Sequence, residues 1–395
     1  MNAKPLRWQS PAVLGVLVAQ ACAALADSAL LIVAIALLEA RHAPEWSTPA
    51  LRAGFYASYV LLAPFAGRWA DAWPKGKLMM AVNVIKLVGV IALAFSAHPL
   101  MVFAVIGCGA AAYAPARYGM LPEITQGRDL VQANAAMEIV TIVALIGGFV
   151  LGSFLVESVS TVVACCMLGA LYAAGAASAL LCRSSVASIS EKTGFRSGVK
   201  ILLRDPEARN ALVLTSIFWA AAAVLQFLMI AWSRHTLGLS LSHAAFLPAI
   251  FAVGMVGGAV VAGTWDLLSS DCAPLVCAIA LGGAILLMPI ATSLVVACLL
   301  LAVAGVLAGL LLVPMNAELQ QRGATLMQPG LSVAVQNFFE NGLSIFFLAI
   351  YGAAVAIGVS VNSTIYVLGF GVIVLVGLSK LRGRIADANQ PRTHA

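Results

Sequence analysis

The chain has 395 residues, of which 62% are hydrophobic and 10% charged, and its formal net charge is +6. A soluble domain carries far more charge on its surface, so water is not the main solvent of this chain. Nor does the basic excess point to nucleic acid: the cations sit between apolar segments, where they orient a membrane protein and meet anionic lipid.

The N-terminus, with Lys4 and Arg7, runs into an apolar segment too long for a signal-peptide core. That segment has Asp27 in its middle and no clear small-residue cleavage site, so it reads as a retained first span. Apolar stretches of roughly 17 to 25 residues, each long enough to cross a hydrocarbon core as a helix, recur to the end of the chain. The spans are predicted over 11–38, 51–67, 78–97, 99–121, 131–156, 160–182, 210–233, 242–264, 272–291, 293–315, 329–355 and 361–380, twelve in all. With the N-terminus in the cytoplasm, most Lys and Arg fall on the inner side, while the outer side keeps Arg41, Arg52 and Arg234. By the positive-inside rule both termini are cytoplasmic.

The longest polar stretch lies between spans 6 and 7 and holds Ser184, Ser185, Ser188, Ser190 and a run of cations from Arg183 to Arg209. It divides the chain into an N-terminal six-helix bundle over 1–182, a cytoplasmic linker over 183–209, and a C-terminal six-helix bundle with a short tail over 210–395. A shift of 199 residues brings Asp27 onto Gln226 and Pro115 onto Pro314; a shift of 202 brings Asn134 and Glu138 onto Gln336 and Glu340. Polar residues thus recur at matching depths, as a duplicated six-helix unit requires. The fold class expected is an all-α membrane protein of two pseudo-symmetric six-helix bundles.

Ionisable residues inside spans are the informative ones, because a charge near the bilayer centre costs at least roughly 2.5 kcal/mol unless it faces water or a partner. Asp27 lies slightly past the midplane of span 1, where it either lines a cavity or bonds a neighbouring helix. Arg117 follows Pro115 toward the inner end of span 4; its guanidinium snorkels, pairs with a carboxylate or receives a phosphate. Asn134 and Glu138 share one face of span 5, and Gln336 and Glu340 repeat that spacing in span 11, with Asn337 beside them. Two facing acids suggest a polar gate. Lys86, in the middle of span 3, is expected to form a structural ion pair with a neighbouring acid. The glycines at 147, 148 and 152, at 254, 257 and 258, and at 305 and 309 have the spacing of close helix packing.

The eight cysteines fall mostly in apolar segments and make no metal spacing; they read as small packing residues. The five histidines lie near span ends or at the C-terminus and form no HExxH motif, and there is no nucleophile elbow. No metal, no cofactor and no enzymatic activity is expected.

Between spans 2 and 3 the chain reads Gly67-Arg68-Trp69-Ala70-Asp71-Ala72-Trp73-Pro74-Lys75-Gly76-Lys77. This resembles the loop signature of the major facilitator superfamily, in which the aspartate and the cations hold neighbouring helices together in one transport state. The resemblance makes Gly67, Asp71, Lys75, Gly76 and Lys77 a conformational gate. The second-half counterpart, near Gly263 to Asp266, is degenerate.

Further segments resemble the bacterial lysophospholipid transporter family, collinearly over nearly the whole chain. They are Asp27-Ser28-Ala29-Leu30-Leu31, Pro44-Glu45-Trp46-Ser47, Ala111 to Gly119, Val313 to Ala317 with Gln321-Arg322-Gly323, and Ala334-Val335-Gln336-Asn337 with Glu340-Asn341. The resemblance implies flipping of lysophosphatidylethanolamine and lysophosphatidylglycerol from the outer to the inner leaflet of the bacterial cytoplasmic membrane, for re-esterification by an acyltransferase. Here the chain ends at Ala395, so that acyltransferase or acyl carrier protein synthetase is expected to be a separate partner. The family pattern places Asp27 and Arg117 in the transport path. It has a basic residue where this sequence has Gln226, an amide that bonds a phosphate oxygen without neutralising its charge. Two other readings stay open: a proton-coupled exporter of amphipathic drugs, and a membrane scaffold for the acyltransferase that moves nothing.

Overall fold

The computed structural model describes residues 10–44, 47–125, 128–182, 193–239, 244, 246–264 and 273–388. Lys4, Arg7, Glu45, Trp46, the serines from Ser184 to Ser190, His243, Asp266 and the tail from residue 389 lie outside the described residues. The described residues form α1 (Pro11–Ala40), α2 (Ser47–Ala72), α3 (Lys75–Ala94), α4 (Pro99–Ile124), α5 (Arg128–Ser158), α6 (Thr161–Ala179) and α7 (Phe195–Arg204). They continue as α8 (Pro206–Thr236), α9 (Leu247–Thr264), α10 (Ala273–Leu287), α11 (Leu294–Leu326), α12 (Pro329–Ala356) and α13 (Val361–Ala388).

Helices are forced here, since inside a bilayer each backbone N–H and C=O must bond within its own segment. Their starts follow from local chemistry. Ser10, Ser160 and Asp205 each accept a backbone N–H from the first turn that follows, at Val13, Val163 and Ala208. Pro11, Pro99 and Pro206 stand where a helix has no use for the missing N–H. Gly238 and Gly358, with φ of 65° and 78°, follow the ends of α8 and α12 in the left-handed conformation that other residues resist.

Eleven of these helices are long and apolar enough to cross a membrane. The second span corresponds to α2, which carries Arg68 and Asp71 and is not among the eleven. The outward side chains are those of a surface solvated by lipid, with Leu61, Phe95, Met101, Val295 and Phe370 all largely exposed.

Two expectations change. The signature over 67–77 is not a loop: α2 continues through Ala72 and α3 begins at Lys75, leaving only Trp73 and Pro74 outside a helix. Helices can run past the hydrocarbon core, so an apolar-to-polar transition does not mark their end. The stretch read as a linker also contains a helix, α7, whose four-residue period of cations and apolar residues was hidden in a polar composition.

The chain packs as two units, one of residues 1–199 with 320–342 and the other of residues 200–319 with 343–395. In the first, α1 lies against α4, α5 and α6, α2 against α4, and α3 against α4 and α6. Small residues set these distances: a Cβ at Gly148 or Gly152 of α5 would stand 2.6 Å from the Leu25 carbonyl oxygen or 2.8 Å from that of Ala29 on α1. In the second unit α13 packs against α8 and α10. There α9 and α11 interlock through two glycine pairs. A Cβ at Gly254 or Gly258 would meet the Ala302 or Val306 carbonyl oxygen at 2.3 or 2.1 Å, and one at Gly305 or Gly309 would meet that of Phe251 or Met255 at 2.1 or 2.3 Å. Apolar side chains gain little by leaving lipid for one another, so such close backbone approach supplies the cohesion.

Candidate functional site

The buried charges of the described residues, Asp71, Lys75, Lys86, Glu138 and Glu340, all belong to the first unit. They fall into three groups.

The first joins α1, α3 and α6. Lys86, 1% exposed, donates to both carboxylate oxygens of Asp27, at 2.9 and 2.6 Å. The Tyr172 hydroxyl donates to the same carboxylate at 2.7 Å. The rings of Tyr113 and Tyr172 each lie 5.7 Å from the ammonium, which adds cation–π attraction where Lys86 has almost no exposure. Three helices thus share one neutralised charge pair, while the Asp27 side chain keeps 19% of its surface. Lys86 therefore sits inside the unit, pairing with the acid that the sequence singled out on its own account.

The second group surrounds Arg117 on α4. Its guanidinium carbon lies 4.5 Å from the centroid of the Tyr118 ring. The Tyr118 hydroxyl donates to Glu138 on α5 at 3.0 Å, and Glu138 is 3% exposed. Tyr59, Tyr113 and Glu138 are near enough to act electrostatically on Arg117, and charges on Asp27 and Glu340 reach Tyr59. Elsewhere in this unit Lys75 pairs with Glu123 and Lys86 with Asp27. The Arg117 Nε is buried with no hydrogen-bond acceptor. One turn along α5 from Glu138, Asn134 exchanges two amide hydrogen bonds, of 3.0 and 2.8 Å, with Gln320 near the end of α11. On α12, Gln336 donates to Glu340 at 2.8 Å, and the Asn337 carbonyl accepts from Asn341.

The third group is the signature between α2 and α3. Asp71, 4% exposed, accepts the backbone N–H groups of Gly330 and Leu331, each at 2.8 Å. These belong to the first turn of α12, where N–H groups have no partner within the helix and the helix dipole favours an anion. Pro329 at the head of that turn contributes no N–H at all. Gly67 and Gly330 let the backbones close on one another, since a Cβ at Gly67 would come within 2.8 Å of the Leu331 Cα and one at Gly330 within 2.6 Å of Asp71. Lys75, 1% exposed, pairs with Glu123 at the end of α4. A Cβ at Gly76 would stand 2.3 Å from the Cys182 carbonyl oxygen just after α6. Lys77 is exposed.

Gln226 belongs to the second unit; it is half-buried on α8 and donates weakly to its own helix at Ala223, 3.4 Å away. Tyr118, Tyr172, Glu123 and Gln320 were not singled out in the sequence. Tyrosines at 113 and 118, on either side of Arg117 in an otherwise Ala-rich helix, were the available signal for the first of these. Seven described cysteines are free thiols, and no cluster of metal-ligating side chains occurs among the described residues.

Membrane-spanning helices, an interior charge network and an aspartate clasping a helix terminus define a membrane transporter. Residues 16–325 match the family model of the Major Facilitator Superfamily, to which the chain belongs. Solved structures show the same fold: the human organic anion transporter TETRAN superposes with a TM-score of 0.73 at 16% identity, covering 97% of this chain and 100% of that one. A bacterial homologue of the iron transporter ferroportin, in an outward-facing state, gives 0.72 at 14% identity over 95% and 99% of the two chains.

Sequence relatives are more particular. The lysophospholipid transporter LplT of Pectobacterium carotovorum is 38% identical over 355 residues, 88% of this chain and 87% of that protein. LplT of an Escherichia coli strain is 38% identical over 379 residues, 93% and 94% of the two. LplT of Yersinia enterocolitica is 36% identical over 368 residues, 91% and 90% of the two. Within the superfamily the chain is thus a member of the lysophospholipid transporter family, and a transporter rather than an enzyme.

Proposed function

We propose that this protein carries lysophospholipids across a bilayer and that Arg117 receives their phosphate. The observation that carries this reading is the contrast among interior cations: Lys75 and Lys86 each pair with a carboxylate, whereas the Arg117 guanidinium lies against the Tyr118 ring and its buried Nε has no hydrogen-bond acceptor. A guanidinium kept from water at such a cost, with donors in a rigid fork, suits a phosphate diester. Glu138, one hydrogen bond away through Tyr118, tempers the charge so that the phosphate can leave again. Asp27, neutralised by Lys86 yet partly open, offers an acceptor edge to an ammonium or glycerol headgroup. Gln226 belongs to the transport path within the second unit.

The finer features belong to the same proposal. The substrates are lysophosphatidylethanolamine and lysophosphatidylglycerol, moved from the outer to the inner leaflet of a bacterial inner membrane with both termini in the cytoplasm. A separate acyltransferase then re-esterifies them. Two six-helix bundles, 1–182 and 210–395, joined by a linker over 183–209, alternate in access. The clasp of Asp71 on α12 and the Asn134 pair with Gln320 hold the cytoplasmic end in one state and release it in the other.

The test is translocation of labelled lysophosphatidylethanolamine in proteoliposomes of the purified protein, beside Arg117→Gln and empty vesicles. Movement that needs the protein and fails in the variant supports the reading. Undiminished movement in the variant removes Arg117 from it, and no movement by the folded wild type removes lysophospholipid transport.

A further inference from the structure

Helix α7 carries Arg196, Lys200 and Arg204 four residues apart, which places them on one face, and all three are exposed. No acidic residue occurs in the helix. Its opposite face is apolar and occupied: Leu202 is fully buried, Gly198 lies where a Cβ would be 3.1 Å from Leu331, and the Phe195 ring meets Phe338 edge-on at 5.5 Å. The apolar face is thus satisfied by protein, and among the described residues no ion pair engages the basic face.

Its depth in the membrane can be read from its neighbours. Leu331 is one of the two residues whose N–H groups Asp71 holds, and Asp71 stands between Trp69 and Trp73, which are 43% and 54% exposed. Exposed tryptophans beside a span mark the level of lipid headgroups, and Arg68 and Lys77 are exposed beside them. Since Gly198 rests on Leu331, α7 lies at this level too. Immediately after it, Asp205 caps α8 and the chain enters the next span.

We infer that the basic face of α7 binds the headgroups of anionic phospholipids in the leaflet at the clasp end. Three cations presented on a rigid helix at headgroup depth match a surface of phosphates, each cation adding to the attraction and all of it screened by salt. The ligand is the bulk diacyl lipid, and the binding is separate from the transport path.

The experiment is native mass spectrometry of the purified full chain with added phosphatidylglycerol or phosphatidylcholine. The wild type is expected to retain phosphatidylglycerol in preference, and the variant R196Q with K200Q and R204Q to bind it about tenfold more weakly or worse. Lys200→Glu alone, a surface change that the fold tolerates, is expected to lower retention partly, and R196K with K200R and R204K to preserve it. Arg117→Gln is expected to leave it unchanged, so that failure of the phosphate site in transport and failure of this surface are told apart. Equal retention of the two lipids by the wild type, or undiminished preference in the glutamine or glutamate variants, overturns the inference.

Discussion

In the unit of residues 1–199 and 320–342, helices meet through charge and hydroxyl groups: Asp27 with Lys86 and Tyr172, Tyr118 with Glu138, Asp71 with the first turn of α12. In the unit of residues 200–319 and 343–395, the buried polar side chains among the described residues are neutral, at Thr215, Ser216, Ser233, Asn316 and Ser344, and helices α9 and α11 meet glycine to backbone. Both arrangements hold helices together where lipid removes the hydrophobic incentive. Among the described residues the buried charges belong to the first. The difference teaches that a duplicated fold need not distribute its buried charge evenly: one unit carries it, and in the other the described helices α9 and α11 rely on close backbone packing.

The contrast can be broken most forcefully at Lys86. Lys86→Met would leave the Asp27 carboxylate, largely withdrawn from the surface, with Tyr172 alone, a loss of about 3 kcal/mol. The expected result is a large drop in thermal stability in detergent, mostly recovered in the double variant with Asp27→Asn. Next is Arg117→Gln, which removes charge-assisted bonds worth roughly 1.5–3 kcal/mol to a phosphate and should lower lysophospholipid affinity about 10- to 100-fold at unchanged stability, as measured by equilibrium binding.

The second unit has its own test. Gly258→Ala places a methyl where the Val306 carbonyl oxygen stands 2.1 Å away and is expected to cost about 1–3 kcal/mol in thermal unfolding. Gly257→Ala, exposed on the same helix with its nearest neighbour 3.8 Å off, should be silent. The smallest effect is expected between Asn134 and Gln320. Alanine at either removes the same reciprocal amide bonds, so a double-mutant cycle should show non-additivity of about 1 kcal/mol in stability.

Much of the fold was legible because the bilayer imposes a length and a composition that any span must meet. Asp27, Lys86, Arg117 and Glu138 were legible for the related reason that a charge in such a segment is costly enough to need an explanation. Their partners were not. Lys86 finds Asp27 across 59 residues, Asn134 finds Gln320 across 186, and Asp71 caps a turn 259 residues away, separations over which an apolar helix carries no register that a reader can count. The glycines at 254, 258, 305 and 309 announced close packing but not against which helix, and Gly257, equally eligible by spacing, faces outward. Helix α7 was missed because in a polar stretch a four-residue period of cations looks like a solvated linker until Leu202 and Gly198 are seen against protein.

The most direct measurement is equilibrium binding of lysophosphatidylethanolamine against a monoacylglycerol of the same acyl chain, which lacks the phosphate, to wild type and Arg117→Gln. If Arg117 receives the phosphate, the wild type prefers the phosphate-bearing ligand by about tenfold or more and the variant loses most of that preference. An equal preference in both proteins would contradict it and place phosphate recognition elsewhere in the molecule.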